Sequence, residues 1–352
     1  MRKRARGTSH SQRMIEACEP RVLLSTIYVD ASVTGATHDG TSWNTAFADL
    51  QQGLAAAAAG DEIHVADGTY KPTQATDRAI SFVLTHEINL KGGYGGSGAV
   101  DPNARNSVTV LSGELGISGA SDNSWNVISA TGPGFSVSID GFTITQASAG
   151  AFFILDADAT ISNCTFTQNT SAGYGAAIYS SHGRLTVHDS RFSNNSATNH
   201  GYGGAVSGDG AMAFANCSFR ENSASWAGGA ISGLQLELSN CEFIDNSAEE
   251  WGGAVNTAAG IFDNCTFTRN TSSEYAGAVM SFAASFRNCA FNGNSAGLSG
   301  GAIADGYGAK FDQCAFVGNS AARSGGAIFS IIAYASPIAP ILRNWGGSCP
   351  SR

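Results

Sequence analysis

The chain has 352 residues, of which 44 are Gly, and 13% are charged while 43% are hydrophobic. This composition excludes a disordered chain, which is poor in apolar residues, and a helical bundle, which is rich in Leu, Glu and Lys. The net charge of −9 argues against a nucleic-acid partner, and no apolar run is long enough to predict a transmembrane helix.

The first 26 residues form a basic segment that differs from the rest of the chain. They carry a net charge of +4, so the remaining residues carry −13. Within them, residues 19–25 read Glu-Pro-Arg-Val-Leu-Leu-Ser. This string resembles a segment found near the start of many exported proteins of planctomycete-type bacteria. Residues 1–26 are therefore interpreted either as an export-type segment or as a disordered basic leader.

Residues 27–160 are predicted to form the capped, irregular N-terminal coils of a solenoid. The pattern predicts a strand at residues 27–30, a helix at 46–58 and a strand at 61–70. A helix that leads into a Gly-Asp-x-Ile-x-Val-x-x-Gly-x-Tyr strand resembles the N-terminal cap of pectate-lyase-like β-helices. A cap is required because an open end would expose apolar core and unpaired strand edges. Further strands are predicted at residues 82–90, 108–112, 125–129 and 137–145.

Residues 161–328 contain seven copies of a repeat, and the Cys positions of successive copies lie 24 to 27 residues apart. In six copies the Ile or Val of a Gly-Gly-Ala-Ile/Val block follows the Cys position by 14 residues. The Cys and Phe positions hold Cys164 and Phe166, Ser190 and Phe192, Cys217 and Phe219, Cys241 and Phe243, Cys265 and Phe267, Cys289 and Phe291, and Cys314 and Phe316. Three residues after each Phe stands an Asn: Asn169, Asn195, Asn222, Asn246, Asn270, Asn294 and Asn319.

The repeat predicts three short strands and three bends per unit. Cys and Phe have the spacing of one strand face, whereas the apolar residue three positions before each Cys has the opposite parity, so the chain must bend between them. The Asn or Asp before the Cys is the natural bend residue, because it tolerates left-handed backbone. Stacked in register, such units predict an all-β, right-handed parallel β-helix of about 11 coils. Its inward columns would be the apolar residue, Cys, Phe, Asn with ladder-like amide bonds, and Ile/Val.

These paired motifs carry a family resemblance. Seven Phe-x-x-Asn tetrapeptides, each followed by a variant of Gly-Gly-Ala-Ile/Val, resemble the polymorphic outer membrane protein repeat of chlamydiae. The resemblance covers Ile161 to Ile328, about half of the chain. It implies a β-helical passenger on a bacterial surface, often one that acts in adhesion.

Residues 329–352 break the repeat, because Pro337-Ile338-Ala339-Pro340 stands where the next Cys is due. We interpret them either as a disrupted or truncated tail or as a short native tail folded over the last coil.

The cysteine column is predicted to consist of free, buried thiols. In-register side chains on parallel strands keep their Cβ atoms about 4.8 Å apart, beyond the usual disulfide range. A spacing of about 24 residues also lacks the closely paired ligands of a zinc site, and the His residues are scattered. Neither a metal nor a cofactor is therefore predicted.

Carbohydrate-active enzymes are the alternative class for a β-helix. A glycoside hydrolase needs two carboxylates that face one another across the scissile bond. The Asn-Thr-Asp, Asp-Asp and Gly-His-Gly segments of the β-helical hydrolases are absent. Asp156, Asp158 and Asp189 lack the Arg column that a lyase would need. No catalytic residue is predicted, and a polysaccharide lyase or glycoside hydrolase of pectate-lyase-like fold stays the alternative.

One column of aromatic residues stands just before the Gly-Gly block. Its members follow the Cys position by nine or ten residues, or by twelve in the longer copy, and are Tyr174, Tyr202, Trp226, Trp251 and Tyr275. They are interpreted either as a surface strip that binds sugar or protein, or as lids over the Gly backbone.

Together these patterns predict an exported, monomeric passenger of the cell surface, the outer membrane or the extracellular space. Its expected role is structural or adhesive, and its expected partner is a polysaccharide or a surface protein.

Overall fold

The computed structural model describes residues 24–116 and 121–330 and the backbone of Leu342–Arg343. Over these residues the chain is a right-handed parallel β-helix of about 11 turns, which confirms the predicted fold class. Most of the predicted export-type segment, residues 1–26, and of the predicted tail, residues 329–352, lies outside the described residues.

Three parallel sheets run along the solenoid, and we name them the long sheet, the Phe sheet and the short sheet. The long sheet comprises Thr26–Val29, Glu62–Ala66, Phe82–Leu84, Ile88–Tyr94, Ile128–Thr131, Ser136–Asp140, Phe152–Leu155, Asp158–Ser162, Ile178–Ser181, Leu185–His188, Val206–Ala215, Ile231–Ser239, Val255–Asp263, Val279–Arg287, Ile303–Asp305, Lys310–Asp312 and Ile328–Ser330. The Phe sheet comprises Gly68–Tyr70, Thr109–Ser112, Phe142–Thr145, Thr165–Thr167, Arg191–Ser193, Ser218–Arg220, Glu242–Ile244, Thr266–Thr268, Ala290–Asn292, Ala315–Val317 and Leu342–Arg343. The short sheet comprises Thr170–Ser171, Ser196–Ala197, Ser223–Ala224, Ser247–Ala248, Thr271–Ser272, Ser295–Ala296 and Ser320–Ala321.

A helix lies against the first strands at the N-terminal end, but it is shorter than predicted. It spans Leu50–Ala56 rather than residues 46–58, because the side chain of Asp49 caps it by accepting a hydrogen bond from the backbone two residues on. A 3-10 turn at Trp43–Thr45 precedes it. Phe47, which lies within the predicted helix, instead forms a β-bridge with Val29 of the first strand.

The predicted bends are present. The residue before each Cys position has a left-handed φ of 51–55° in all seven repeats, namely Asn163, Asp189, Asn216, Asn240, Asn264, Asn288 and Gln313. A second left-handed bend, whose position was not assigned from the sequence, precedes each inward Asn. It is formed by Gln168, Asn194, Glu221, Asp245, Arg269, Gly293 and Gly318.

Phe and Cys side chains fill the interior of the repeats. The seven repeat Phe residues, Phe166 to Phe316, stack with neighbouring ring centroids 4.7–5.1 Å apart and ring planes within 6° of parallel. A second stack, Phe262, Phe286 and Phe311, meets the first edge to face. The column cysteines, Cys164, Cys217, Cys241, Cys265, Cys289 and Cys314, are buried and free among the described residues.

The inward Asn residues form a continuous amide ladder along the axis. From Asn169 to Asn319, each Nδ2 donates to Oδ1 of the next Asn at 2.9–3.0 Å. The same Nδ2 donates to a backbone carbonyl of the preceding coil, as Asn246 does to Phe219 at 3.0 Å. Each Oδ1 also accepts the backbone N–H of the preceding ladder Asn, as from Asn222 to Asn246 at 3.0 Å. The ladder therefore satisfies every amide donor and acceptor in its interior.

The Gly-Gly block is dictated by space. Gly252 has a φ of 63°, and a Cβ there would lie 2.1 Å from the carbonyl oxygen of Val255. At Gly253 a Cβ would lie 2.2 Å from the carbonyl oxygen of Gly277 in the next coil. A Cβ at either glycine would therefore clash with the backbone, and at Gly253 the clash reflects the close approach of the next coil.

Candidate functional site

The aromatic residues predicted from the repeat lie side by side on neighbouring coils. Parallel β-bridges join Tyr174 to Tyr202 and Trp251 to Tyr275. Trp226 lies one residue outside this backbone column, because Ala227 takes the place between Tyr202 and Trp251. Trp226 follows its Cys by nine residues, whereas the aromatic residues of the other regular copies follow theirs by ten, although the spacing from the Cys to the Gly-Gly block is the same.

The rings nevertheless form a continuous surface. The centroid of Tyr202 lies 5.8 Å from Tyr174 and 6.3 Å from Trp226, and Trp226 lies 5.9 Å from Trp251. The side chain of Trp226 thus bridges the gap that its displaced backbone leaves. The Tyr275 ring has its contact farther along, with Phe329 at 6.5 Å.

Two further rings, which the sequence analysis missed, extend this surface. Tyr179 lies 5.7 Å from Tyr174, and Phe153 stacks on Tyr179 at 5.6 Å. Both belong to strands of the long sheet and follow a buried residue, so their outward direction was readable from strand alternation. We name the set Phe153, Tyr179, Tyr174, Tyr202, Trp226 and Trp251 the aromatic strip.

The rings of the strip differ in exposure. Tyr174 is 55% exposed, whereas Tyr202, Trp226, Trp251 and also Tyr275 are half-buried. The indole nitrogen of Trp226 is buried. Burial, together with the charges of neighbouring groups, raises the pKa of the Tyr202 hydroxyl. The exposed ring at Tyr174 suits ligand contact, and the half-buried indole of Trp226, with its nitrogen covered, suits a lid over the backbone.

A groove runs beside the strip, and we name it the strip groove. Its far wall includes Leu234 and Phe282, which are 53% and 48% exposed. Its floor includes Ser207, Ser232 and Asn256, which occupy one register position on successive coils. The groove has a volume of about 440 Å³. Aromatic walls with a floor of hydroxyl and amide groups are typical of sites that orient polyols.

One end of the strip groove holds a carboxylate network. Asp209 lines the groove and accepts hydrogen bonds from the backbone N–H of His182 at 2.7 Å and from the hydroxyl of Ser181 at 2.9 Å. Burial acts to raise the pKa of Asp209, but these two hydrogen bonds outweigh it and lower the pKa. Nδ1 of His182 lies 3.1 Å from Oδ1 of Asp156. An imidazole therefore stands between the two carboxylates, which leaves no open space between them for a glycosidic bond.

Two observations concern metals and membranes. Within residues 24–116 and 121–330, no group of three or more His, Cys, Asp or Glu side chains is arranged to hold a metal ion. In that same part of the chain, no helix is long and apolar enough to cross a membrane.

Fold and surface define a repeat solenoid with a ligand-sized groove along its axis. The chain belongs to the family described as right handed beta helix region, whose sequence model matches residues 126–316, more than half of the chain. The Chlamydia polymorphic membrane protein repeat matches residues 313–331. No curated protein matches the chain.

Solved structures of several β-helical proteins are similar to this chain. A pectate lyase is 13% identical, with 77% of this chain and 76% of that chain covered and a TM-score of 0.45. A pectin methylesterase from Erwinia chrysanthemi is 13% identical, with coverages of 90% and 92% and a TM-score of 0.41. A surface adhesin of Streptococcus pneumoniae is 13% identical, with coverages of 86% and 91% and a TM-score of 0.38.

Proposed function

We propose that this chain is a non-enzymatic, monomeric β-helical passenger, exported to the cell surface or secreted, and that it binds polysaccharide through the aromatic strip. The carrying observation is the run of ring contacts from Phe153 to Trp251 beside a groove floored by hydroxyl and amide groups. Sugar rings stack on aromatic faces, and their hydroxyls need fixed hydrogen-bond partners nearby.

The repeat supports an adhesive role. The repeat that matches residues 313–331 is named for a family of Chlamydia membrane proteins. From this likeness we propose that the present chain is also exposed at a cell surface. We propose that the capped coils of residues 27–160 close the end of the core and that the repeats of residues 161–328 present the binding face. Repetition along the axis would raise the affinity of individually weak contacts.

A polysaccharide lyase or hydrolase is the second candidate, and Asp209 is the observation that favours it. Its carboxylate lines the strip groove, and the lowered pKa keeps it ionised at neutral pH. Against this candidate, Asp209 already accepts hydrogen bonds from Ser181 and His182. The neighbouring carboxylate, Asp156, does not face it across open space, because His182 stands between the two.

The experiment that separates the two candidates measures binding and product release on the same samples. The purified chain is incubated with a panel of polysaccharides and surface proteins, and bound protein, reducing ends and unsaturated products are quantified. Retention on at least one polysaccharide without product release supports the proposal. Product release, or retention on proteins alone, contradicts it.

A further inference from the structure

We infer that the strip groove takes a polysaccharide segment without acidic groups and rejects polyuronates and sulfated chains. This inference rests on the proposed function, since it concerns what the same surface selects. It follows from the charges that line the groove rather than from its shape.

The first step is the direction of the bound chain. Ser207, Ser232 and Asn256 come from three successive coils and lie in register, and Nδ2 of Asn256 donates to the hydroxyl of Ser232 at 3.2 Å. Successive coils are about 4.8 Å apart, so two coils span about 9.6 Å, close to two sugar units of an extended glycan. A polysaccharide therefore lies along the solenoid axis and meets the same kind of polar floor at each step.

The second step is the charge along that path. Among the described residues that line the strip groove, Asp209 is charged and none is Lys, Arg or His. His182, which is outside this lining, lies between Asp209 and Asp156, so two carboxylates share one imidazole at this end of the groove. The hydrogen bonds from Ser181 and His182 keep Asp209 ionised. Glu250 adds a second negative charge close enough to affect the Tyr202 hydroxyl.

The third step is the consequence for an acidic ligand. Recognition of carboxylate or sulfate groups in proteins relies on Arg, Lys or bound cations, and no such side chain is found among the described residues that line the strip groove. A uronate in the groove would leave its charge uncompensated and would be repelled by Asp209. An uncharged hexose chain has no charge to compensate and is not repelled by Asp209. It can still stack on the aromatic rings and form hydrogen bonds with the polar floor of the groove.

The test uses ligand pairs that share a backbone and differ in charge. Cellohexaose is compared with its C6-oxidised hexauronate, and hexagalacturonate with its full methyl ester, by isothermal titration calorimetry at 20 mM and 200 mM NaCl. The matched protein variant is Asp209→Asn, which keeps the size of the side chain. Its melting temperature and that of the parent chain are recorded as a folding control.

We expect the uncharged member of at least one pair to bind about tenfold more tightly than its acidic partner, as for one unpaired repulsive contact at a partly exposed site. Salt should strengthen the binding of the acidic member, because screening weakens repulsion. Asp209→Asn should reduce the difference in affinity between the uncharged and the acidic member of a pair. Equal or tighter binding of the acidic member, or acidic binding that weakens with salt, overturns this inference and leaves the proposed function standing. If no member of either pair binds and the wider panel also gives no retention, the proposed function itself fails.

Discussion

Nδ2 of Asn246 donates to Oδ1 of Asn270 at 3.0 Å, deep inside the solenoid and one coil away. The backbone N–H of Asn246 reaches the same oxygen, also at 3.0 Å. The side-chain oxygen of Asn270 therefore binds both the side chain and the main chain of Asn246 in the neighbouring coil. The same pair of hydrogen bonds recurs at the same bend between successive repeats from Asn169 to Asn319, so it favours one register of these coils.

Replacing Asn246 by Ala should strongly destabilise the chain. The change leaves the N–H and Nδ2 of Asn222 and the carbonyl of Phe219 without their partners. Each buried polar group left unpaired costs about 1–3 kcal/mol, so a loss of at least about 3 kcal/mol is expected in urea unfolding. Asn292→Ala, at an outward position of the Phe sheet, is the control and should change stability by less than about 0.5 kcal/mol. Similar losses of unfolding free energy for the two variants would show that the ladder Asn contributes no more to stability than an outward side chain.

The Phe stack should be equally sensitive. Phe243 and Phe267 are fully buried, with their ring centroids 4.8 Å apart and the planes 6° from parallel. Phe243→Ala or Phe267→Ala should cost about 3–5 kcal/mol, because backbone pairing on both sides prevents collapse around the hole. Thr268→Ala, outward on the same strand as Phe267, is the matched control. A loss below about 1 kcal/mol for either Phe variant would contradict an inward stack.

One repeat carries a residue that its backbone disfavours. Ala276 has a φ of 61° at the position where the other regular repeats have Gly. Ala276→Gly should therefore stabilise the chain by about 1 kcal/mol. Ala278→Gly, two residues on and equally buried, should destabilise it by about 0.5–1 kcal/mol, because no left-handed strain is relieved there. We expect the urea midpoint to rise for Ala276→Gly and to fall for Ala278→Gly. Shifts of the same sign would contradict the backbone strain at Ala276.

Structural features that come from residues at a fixed spacing in the repeat were predictable from the sequence, whereas contacts between side chains of different coils were not. The bend at Asn163 and the ladder from Asn169 were predictable, because both recur in one block with fixed spacing. The second bend at Gln168 was not, since its position holds Gln, Asn, Glu, Asp, Arg or Gly and shows no common chemistry. At the candidate site, Trp226 was assigned to the aromatic column although it follows its Cys by nine residues rather than ten. The Phe153 and Tyr179 contacts depend on stacking between coils, which local periodicity does not report.

The thiol column should be inert in the folded chain. Burial raises the pKa of the Cys164 thiol to about 12. All six column cysteines are buried, so a thiol reagent at pH 8 should modify them in denaturant and leave them unmodified in buffer. A mass map that finds disulfides between successive coils would contradict the in-register stacking.

The same pKa shift predicts a dependence of stability on pH. The unfolded thiol ionises near pH 9.0, whereas the folded Cys164 stays protonated to about pH 12. Its contribution is thus complete below pH 9 and falls as the pH rises towards 12, by about 1.4 kcal/mol per pH unit. Urea unfolding at pH 8 and pH 10 should show a smaller loss for Cys164→Ala than for the parent chain. An identical loss of stability between pH 8 and pH 10 in the two chains would show that the Cys164 thiol is accessible to solvent in the folded chain.

The central claim is that the aromatic strip is a binding surface, and the most direct measurement compares ligand affinity with the melting temperature in the same variants. For the double variant Tyr174→Ala/Tyr202→Ala we predict at least about tenfold weaker binding to the polysaccharide that the parent chain retains, because two stacking faces are lost. Its melting temperature should stay within about 3 °C of the parent value. Trp226→Ala, which removes the half-buried indole whose nitrogen is covered, should lower the melting temperature more than the double variant does. Unchanged affinity together with a large fall in melting temperature for the double variant would contradict the claim and show that these rings are lids.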